Sequence, residues 1–403
     1  VDGLTPRAWG RRVCAGAAAL VTAWTAVTSP ASATPRPRSD EWWFHAWSVQ
    51  DTVWPLSKGT GVTIGLIDSG TNANLPELSG AVLPGLDTTG GNTAGQSDSD
   101  GHGHGTSMAA LIAGRGGGTT GYVGLAPEAK ILPVRINTGQ DRGGDATEIA
   151  DGIRFAVDHG AKVVNMSFGE RSAGCPARLL TAIGYAIEHD VVLVASAGNA
   201  ENGSGAAELP ARCPGVVAVG AVTKATKPWS KTKAQNYVTI SAPGAQMGLV
   251  GKDGTYYPDS AGTSGAAALT SAAVALIRSR NPGMSGRTVV QRILATAMPV
   301  GDKEWDPRTG YGVPLVRNAM DPAKYPVPSS APNPVYAAFD RWKASTYRAP
   351  SRQPVATARP EGGSGGIPVS TIVAGAAGAS LVVAGLTAVL LVLSRRRRVG
   401  RRA

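Results

Sequence analysis

Three polar residues far apart in the chain stand in settings that suit nucleophilic catalysis. Asp68 closes a short β-rich run over 62–67 and is followed by Ser69-Gly70. His104 lies in Gly101-His102-Gly103-His104-Gly105-Thr106, where glycines permit tight turns before an Ala/Leu/Ile stretch able to begin a helix. Ser264 lies in Ala261-Gly262-Thr263-Ser264-Gly265, at a second turn into a helix, where the helix field and free backbone N–H groups favour developing negative charge. A serine hydroxyl is a weak nucleophile until a base removes its proton. Imidazole titrates near neutrality, so it can take that proton and return it. A carboxylate on the far ring nitrogen fixes the tautomer and stabilises the imidazolium, and the acyl-enzyme splits one difficult step into two. The chain order Asp, His, Ser is one of three known for such a triad.

Residue types alone leave other chemistry open. Asp68-Ser69-Gly70 alone would suit half of an aspartic dyad, but no second Asp-Ser/Thr-Gly occurs. Asp98, Asp100, His102 and His104 are all potential metal ligands, yet their glycine-rich spacing matches no standard zinc pattern. No metal and no cofactor is expected for the reaction.

The elements that must hold the three residues can be read from apolar runs. Segments 62–67, 131–136, 163–166, 191–196 and 216–222 are short, nearly continuous and β-branched, as suits strands buried on both faces of a parallel sheet. Helical periodicity separates them: Ile149, Ile153 and Val157, then Leu179, Ile183 and Ile187, then the Ala-rich stretch 263–280 and the amphipathic stretch 288–296. Helices between parallel strands give right-handed crossovers and a three-layer α/β domain, placed here at 55–321. The carboxyl ends of such strands are where this architecture presents its chemistry.

The ends of the 403-residue chain suggest a compartment. Arg7, Arg11 and Arg12 precede an apolar run and Ala31-Ser32-Ala33, which reads as a signal peptide over 1–33. Residues 34–54 form an N-terminal extension, and 322–370 a Pro/Gly-rich linker, or one that lies in part on the domain surface, since Tyr336, Phe339, Trp342 and Tyr347 are costly to leave exposed. The uncharged stretch inside 371–394 is long enough for a transmembrane helix, and six arginines in the tail 395–403 prefer the cytoplasmic side. The expectation is a single-pass cell-membrane protein with its folded domain extracytoplasmic and the bilayer contacted through 371–394. The net charge of +11 belongs to the tails: residues 34–321 hold 24 Lys/Arg against 25 Asp/Glu, so no nucleic acid partner is expected.

Here the sequence resembles the subtilisin-like serine proteases, on the blocks Asp68-Ser69-Gly70, His104-Gly105-Thr106, Gly262-Thr263-Ser264 and Ser196-Ala197-Gly198-Asn199. The resemblance implies a three-layer subtilisin-like fold with a mainly parallel central sheet. It also implies catalytic Asp68, His104 and Ser264, and Asn199 in the oxyanion hole. Ser167, Phe168 and Gly169, with Ser196, Ala197 and Gly198, would pair with an extended substrate and wall its first specificity pocket. One departure is Ala268, where the family usually has proline. The arrangement of signal peptide, protease domain, linker, membrane helix and basic tail resembles the mycosins. That implies a membrane-anchored endopeptidase associated with type VII secretion, acting on secreted or envelope proteins beside membrane components of the secretion complex. The alternative is a mainly structural subunit of that complex with secondary proteolysis.

Two further features constrain the fold. Cys14 falls in the signal peptide, which leaves Cys175 and Cys213 to form a disulfide or to stay as two buried thiols. Trp42, Trp43, Trp47 and Trp54, four of the nine tryptophans, crowd into 42–54 together with Phe44, so this extension is expected to be retained and to pack on the domain.

Overall fold

Strands apolar on both faces need cover on both sides, and the chain supplies it. The computed structural model describes residues 36–346, apart from 140–141, 144, 201–207 and 302–303. The central sheet contains β1 (Thr63–Asp68), β2 (Leu86–Asp87), β3 (Lys130–Arg135), β4 (Val163–Met166), β5 (Val192–Ser196), β6 (Val216–Val222) and β7 (Val238–Pro243). Their spatial order is β7-β6-β5-β4-β1-β3-β2, and every neighbouring pair is parallel. Helices α1 (His104–Ala113), α4 (Thr263–Arg280) and α5 (Gly286–Ala295) cover one face. Helices α2 (Ala146–Asp158) and α3 (Ala177–Glu188) cover the other.

Period-two alternation sorts the side chains. In β1, Ile64 and Leu66 join the α1/α4 core, while Ile67 joins the α2/α3 core. Gly65 also points to α2: a methyl there would stand 2.7 Å from the Ala156 Cβ, so its absence lets α2 lie directly on β1. Helix α2 begins where Asp145 accepts from Thr147 N and Glu148 N in a capping box. Helix α4 is buried almost throughout, and its small residues allow close approach to the sheet.

The sheet holds two strands beyond the five expected. β2 has only two residues, and in β7 Thr239 and Ser241 interrupt the apolar run. Those hydroxyls bond within the protein: Thr239 Oγ1 accepts from Ala218 N, and Ser241 Oγ donates to Arg308 O. Within the stretch read as linker, Pro334–Thr346 is a helix, α6. Its Val335, Tyr336 and Phe339 are buried, Phe339 stacks over Gly184 of α3 and Gly215, and Arg287 grips Asp340 with two nitrogens at 2.8 and 3.0 Å.

The aromatic extension is built into the core. Trp43 is fully buried, and Trp42, Phe44, Trp47 and Trp54 are nearly so. Indole N–H groups donate to Gln246 O from Trp42 and to Leu125 O from Trp54, at 3.0 and 2.9 Å. Glu41 accepts from Arg38 N and Val123 N, and burial pushes its carboxyl up to about 8. Cys175, before α3, and Cys213, before β6, form a disulfide with Cα atoms 5.4 Å apart.

The membrane expectations are corrected. No helix among the described residues is long and apolar enough to cross a membrane. The longest, α4, has 18 residues, carries Arg278 and Arg280 in its last turn, and is a core helix of the domain. A bilayer core takes about 20 predominantly apolar residues. The stretch 371–394 and tail 395–403 that prompted the expectation lie outside the described residues, as does 1–33. A transmembrane helix as part of the fold, a membrane-anchored enzyme, bilayer contact through 371–394 and a single-pass cell-membrane location therefore form no part of the assignments below.

Two stability effects follow. Trp43→Ala should lower the unfolding free energy by about 3–5 kcal/mol, the cost of emptying a buried ring site. Cys175→Ser should lower it by about 3–4 kcal/mol on the loop-closure model for a sequence separation of 38. Denaturant titration of each variant checks both, and a change below 1 kcal/mol in either would contradict the packing or the cross-link.

Candidate active site

Register brings three residues into one row. Ile67 of β1 pairs with Met166 of β4, and Met166 pairs with Ala195 of β5. The next positions are Asp68, Ser167 and Ser196, at the carboxyl edge of three adjacent strands. By the same alternation they share the face that carries α1 and α4. The chain runs from β3 to β4 across β1, so this edge lies at a topological switch, the place where open α/β sheets form their clefts.

Asp68 is 1% exposed. Its Oδ1 accepts from His104 Nδ1 at 2.7 Å and from Ser69 N at 2.8 Å. Its Oδ2 is buried with no hydrogen-bond partner, which leaves the imidazole as the main cationic compensation. His104 opens α1, and the turn before it is tied down by two further acids. Asp100 Oδ1 accepts from the backbone N–H of His102, Gly103 and His104. Asp98 accepts from Ser69 Oγ at 2.8 Å and from Thr106 N and Oγ1 at 2.8 and 2.6 Å. Lys252 Nζ donates to the carbonyls of both acids' residues. Gly103 adopts φ 88°, a left-handed turn that a side chain would strain. These bonds account for the carboxylates weighed above as metal ligands.

Charge follows geometry. Burial acts to raise the Asp100 carboxyl, but the three N–H groups outweigh it and hold it below the usual range. Burial would lower the His104 imidazole. Asp68 outweighs it by charge and hydrogen bond, with Asp100 and Asp98 adding, and pushes the group up to about 9. The ring keeps 37% of its side-chain surface in solvent, so water can reach it and screen these charges.

Ser264 is the second residue of α4 and is held to the edge of β4. Ser271 Oγ donates to Asn165 Oδ1, Asn165 Nδ2 to Ser167 Oγ, and Ser167 Oγ to Ser264 O, at 2.9, 2.8 and 3.0 Å. The Ser264 hydroxyl donates to Ser167 O at 2.7 Å. It makes no hydrogen bond with His104, so the base-to-hydroxyl link needs another rotamer of Ser264; such links commonly tighten only with substrate. Asn199 Oδ1 accepts from Thr263 N and Thr263 Oγ1, both at 3.0 Å, which caps α4 and fixes the amide. Its Nδ2 lies 3.7 Å from where a Cβ would stand on Gly262, beside the serine.

The two stretches expected to meet substrate lie side by side. Ser167, Phe168 and Gly169 follow β4, Ala197 and Gly198 follow Ser196 at the end of β5, and Ser196 Oγ donates to Phe168 O at 3.1 Å. Between them stands a pair that sequence reasoning missed, Glu208 and Lys233. They are 25 residues apart and no motif joins them. Lys252 was missed for the same reason. Asp100 did carry a signal, an Asx residue ahead of a helix start.

The family model described as Subtilase family matches residues 59–312. Thermitase of Thermoactinomyces vulgaris is 35% identical over 194 residues, which is 48% of this chain and 66% of that one, so the chain spans just under two thirds of that relative. Among solved structures, MycP1 from Mycobacterium smegmatis superposes with TM-score 0.64 at 26% identity, covering 76% of this chain and 89% of that one. The MycP3 protease from the type VII (ESX-3) secretion system superposes with TM-score 0.60 at 30% identity, covering 72% and 90%.

The His104 shift has a sign that can be measured. A folded-state pKa above the ordinary 6.5 means that the protonated ring is favoured by folding. That stability is fully present below about 6.5 and is lost as pH rises through about 9. NMR titration of the imidazole should give a midpoint well above 6.5, and Asp100→Asn should lower it. A midpoint at or below 6.5 would contradict the charge arrangement.

Proposed function

The chain belongs to the subtilase family, and from that premise we propose that it is a serine endopeptidase with Ser264 as nucleophile, His104 as general base and Asp68 as the orienting carboxylate. The observation that carries the reading is the buried Asp68 carboxylate bonded to His104 Nδ1 at 2.7 Å, which leaves Nε2 as the ring nitrogen for a hydroxyl. In molecules whose ring is neutral, a fraction that grows as pH rises toward about 9, Ser264 turns from Ser167 O toward Nε2 and attacks the peptide carbonyl as its proton passes to His104. The oxyanion forms beside the first turn of α4 and Asn199 Nδ2, where fixed donors stabilise charge without reorganising. His104 then hands its proton to the leaving amine. Water, deprotonated by the same ring, hydrolyses the acyl-enzyme. A substrate in strand form lies against Ser167–Gly169 and Ser196–Gly198, and this selects extended over folded chain.

The substrates in this reading are secreted or envelope proteins, and the enzyme works beside a type VII secretion system. Support comes from the likeness to the MycP3 protease, which extends over 90% of that chain.

A fluorophosphonate probe should label the wild-type protein at Ser264 and leave Ser264→Ala unlabelled. Asn199→Ala should keep the fold and lose about 10²–10³ in kcat, as expected for one oxyanion donor. Equal labelling of wild type and Ser264→Ala would overturn the nucleophile assignment.

A further inference from the structure

The walls of the proposed substrate cleft carry glycines at two facing positions, and one side chain explains both. A methyl built on Gly169 or on Gly198 would overlap the Glu208 carboxylate. Glu208 therefore fills the space between the walls. Its backbone is anchored there, because Glu208–Leu209 pairs antiparallel with Glu170–Arg171 and Glu208 N donates to Tyr237 Oη. That same hydroxyl donates to Ala197 O at 3.2 Å. Lys233 completes the arrangement. Its N–H donates to Gly198 O at 3.1 Å, and its Nζ bonds Glu208 Oε1. The side chains are 12% exposed for Glu208 and 4% for Lys233.

We propose that the Glu208–Lys233 ion pair is the specificity determinant of the cleft. It closes the floor of the pocket that receives the side chain on the acyl side of the scissile bond, and it admits only small uncharged residues. This deepens the peptidase reading and rests on it. Two constraints combine. The first is volume: a side chain aimed between Gly169 and Gly198 meets the carboxylate almost at once, so Ala, Ser or Gly fits and Leu or Phe does not. The second is charge: a lone Glu208 would attract a basic side chain, but Lys233 already neutralises it. A substrate lysine must displace a nearly buried ammonium, and a substrate glutamate meets Glu208 directly. Selectivity thus comes from what the pocket excludes. Glycine at 169 and 198 then serves the plug, since any larger residue would expel the carboxylate.

The test uses the full chain and internally quenched peptides that differ only at the acyl-side residue, with Ala, Ser, Leu, Phe, Lys or Glu there. Wild type should show kcat/KM for Ala and Ser higher than for Leu, Phe, Lys and Glu by roughly 10–100-fold, the scale that pocket size can supply. Glu208→Gln keeps the volume and should keep the small-residue preference. Lys233→Met releases the carboxylate's charge and should raise Lys relative to Ala by about tenfold or more. The double variant Glu208→Ala/Lys233→Met empties the floor and should bring Leu and Phe up to the level of Ala. Fluorophosphonate labelling of each variant reports an intact fold, and Lys233→Met decides where the double variant does not label. A labelled wild type that prefers Leu, Phe or Lys overturns the proposal and leaves the peptidase reading standing. A labelled Lys233→Met or double variant with the wild-type profile overturns it too. A wild type that neither labels nor cleaves overturns the peptidase reading and, with it, this inference.

Discussion

A carboxylate with 1% of its surface in water must find its compensation inside the protein, and much of the cleft follows from how Asp68 does so. Its position at the end of β1 is fixed by the register with β3 and β4. Ser69 N donates to it from the next residue, and His104 at the start of α1 brings the ring that can carry a charge. To deliver that ring, the turn ahead of α1 must be rigid. Asp98 does this by binding Ser69 and Thr106 together, and Asp100 by gathering three backbone N–H groups. Three acids around one imidazole would repel one another without these donors. With them, the summed field favours the protonated ring.

The nucleophile side is organised by the same edge and a different helix. α4 is a core helix first, packed on β4 to β7 by small residues, and its second residue carries the hydroxyl. Stability and positioning therefore share one set of contacts. The Ser271–Asn165–Ser167–Ser264 chain of bonds runs from the buried body of α4 to Ser264, half-buried at its start. A core change that tilted α4 would thus move Ser264 relative to Asp68. Ala268, at a position the family usually gives to proline, lies fully buried in this helix and keeps its turn regular.

What was legible in the sequence had local causes. Asp68, His104 and Ser264 could be read because each sits where an apolar run meets a glycine turn, and that boundary is written in consecutive residues. The buried strands 163–166 and 216–222 could be read because both faces are apolar. β7 could not, since Thr239 and Ser241 break its apolar run, and the groups that let them be buried, Ala218 N and Arg308 O, lie far along the chain. Tyr336 and Phe339 marked this stretch for packing on the domain, but the helical form of α6 was hidden by the prolines around it, although Pro334 is the first residue of the helix and costs nothing there. The membrane expectation failed for a related reason. It rested on composition near the end of the chain, and composition does not say how a segment takes part in the described fold.

The Glu208–Lys233 pair marks the limit of such reading and explains it. A buried ion pair survives only where geometry and further hydrogen bonds offset its desolvation, and here the supports come from several elements. Leu209 pairs with Glu170, Tyr237 Oη bridges Glu208 N and Ala197 O, and Gly198 O holds Lys233 N. The partners that supply these bonds, Glu170, Tyr237 and Gly198, are not adjacent in sequence to the charge they support. The triad needs one residue at each of three strand or helix ends, and each end announces itself. The floor of the pocket needs a carboxylate, an ammonium, two glycines and a phenol to converge, and that convergence exists only in three dimensions. The residues that define a reaction class can therefore be found from local pattern, while those that choose among substrates of that class have to be found in the fold.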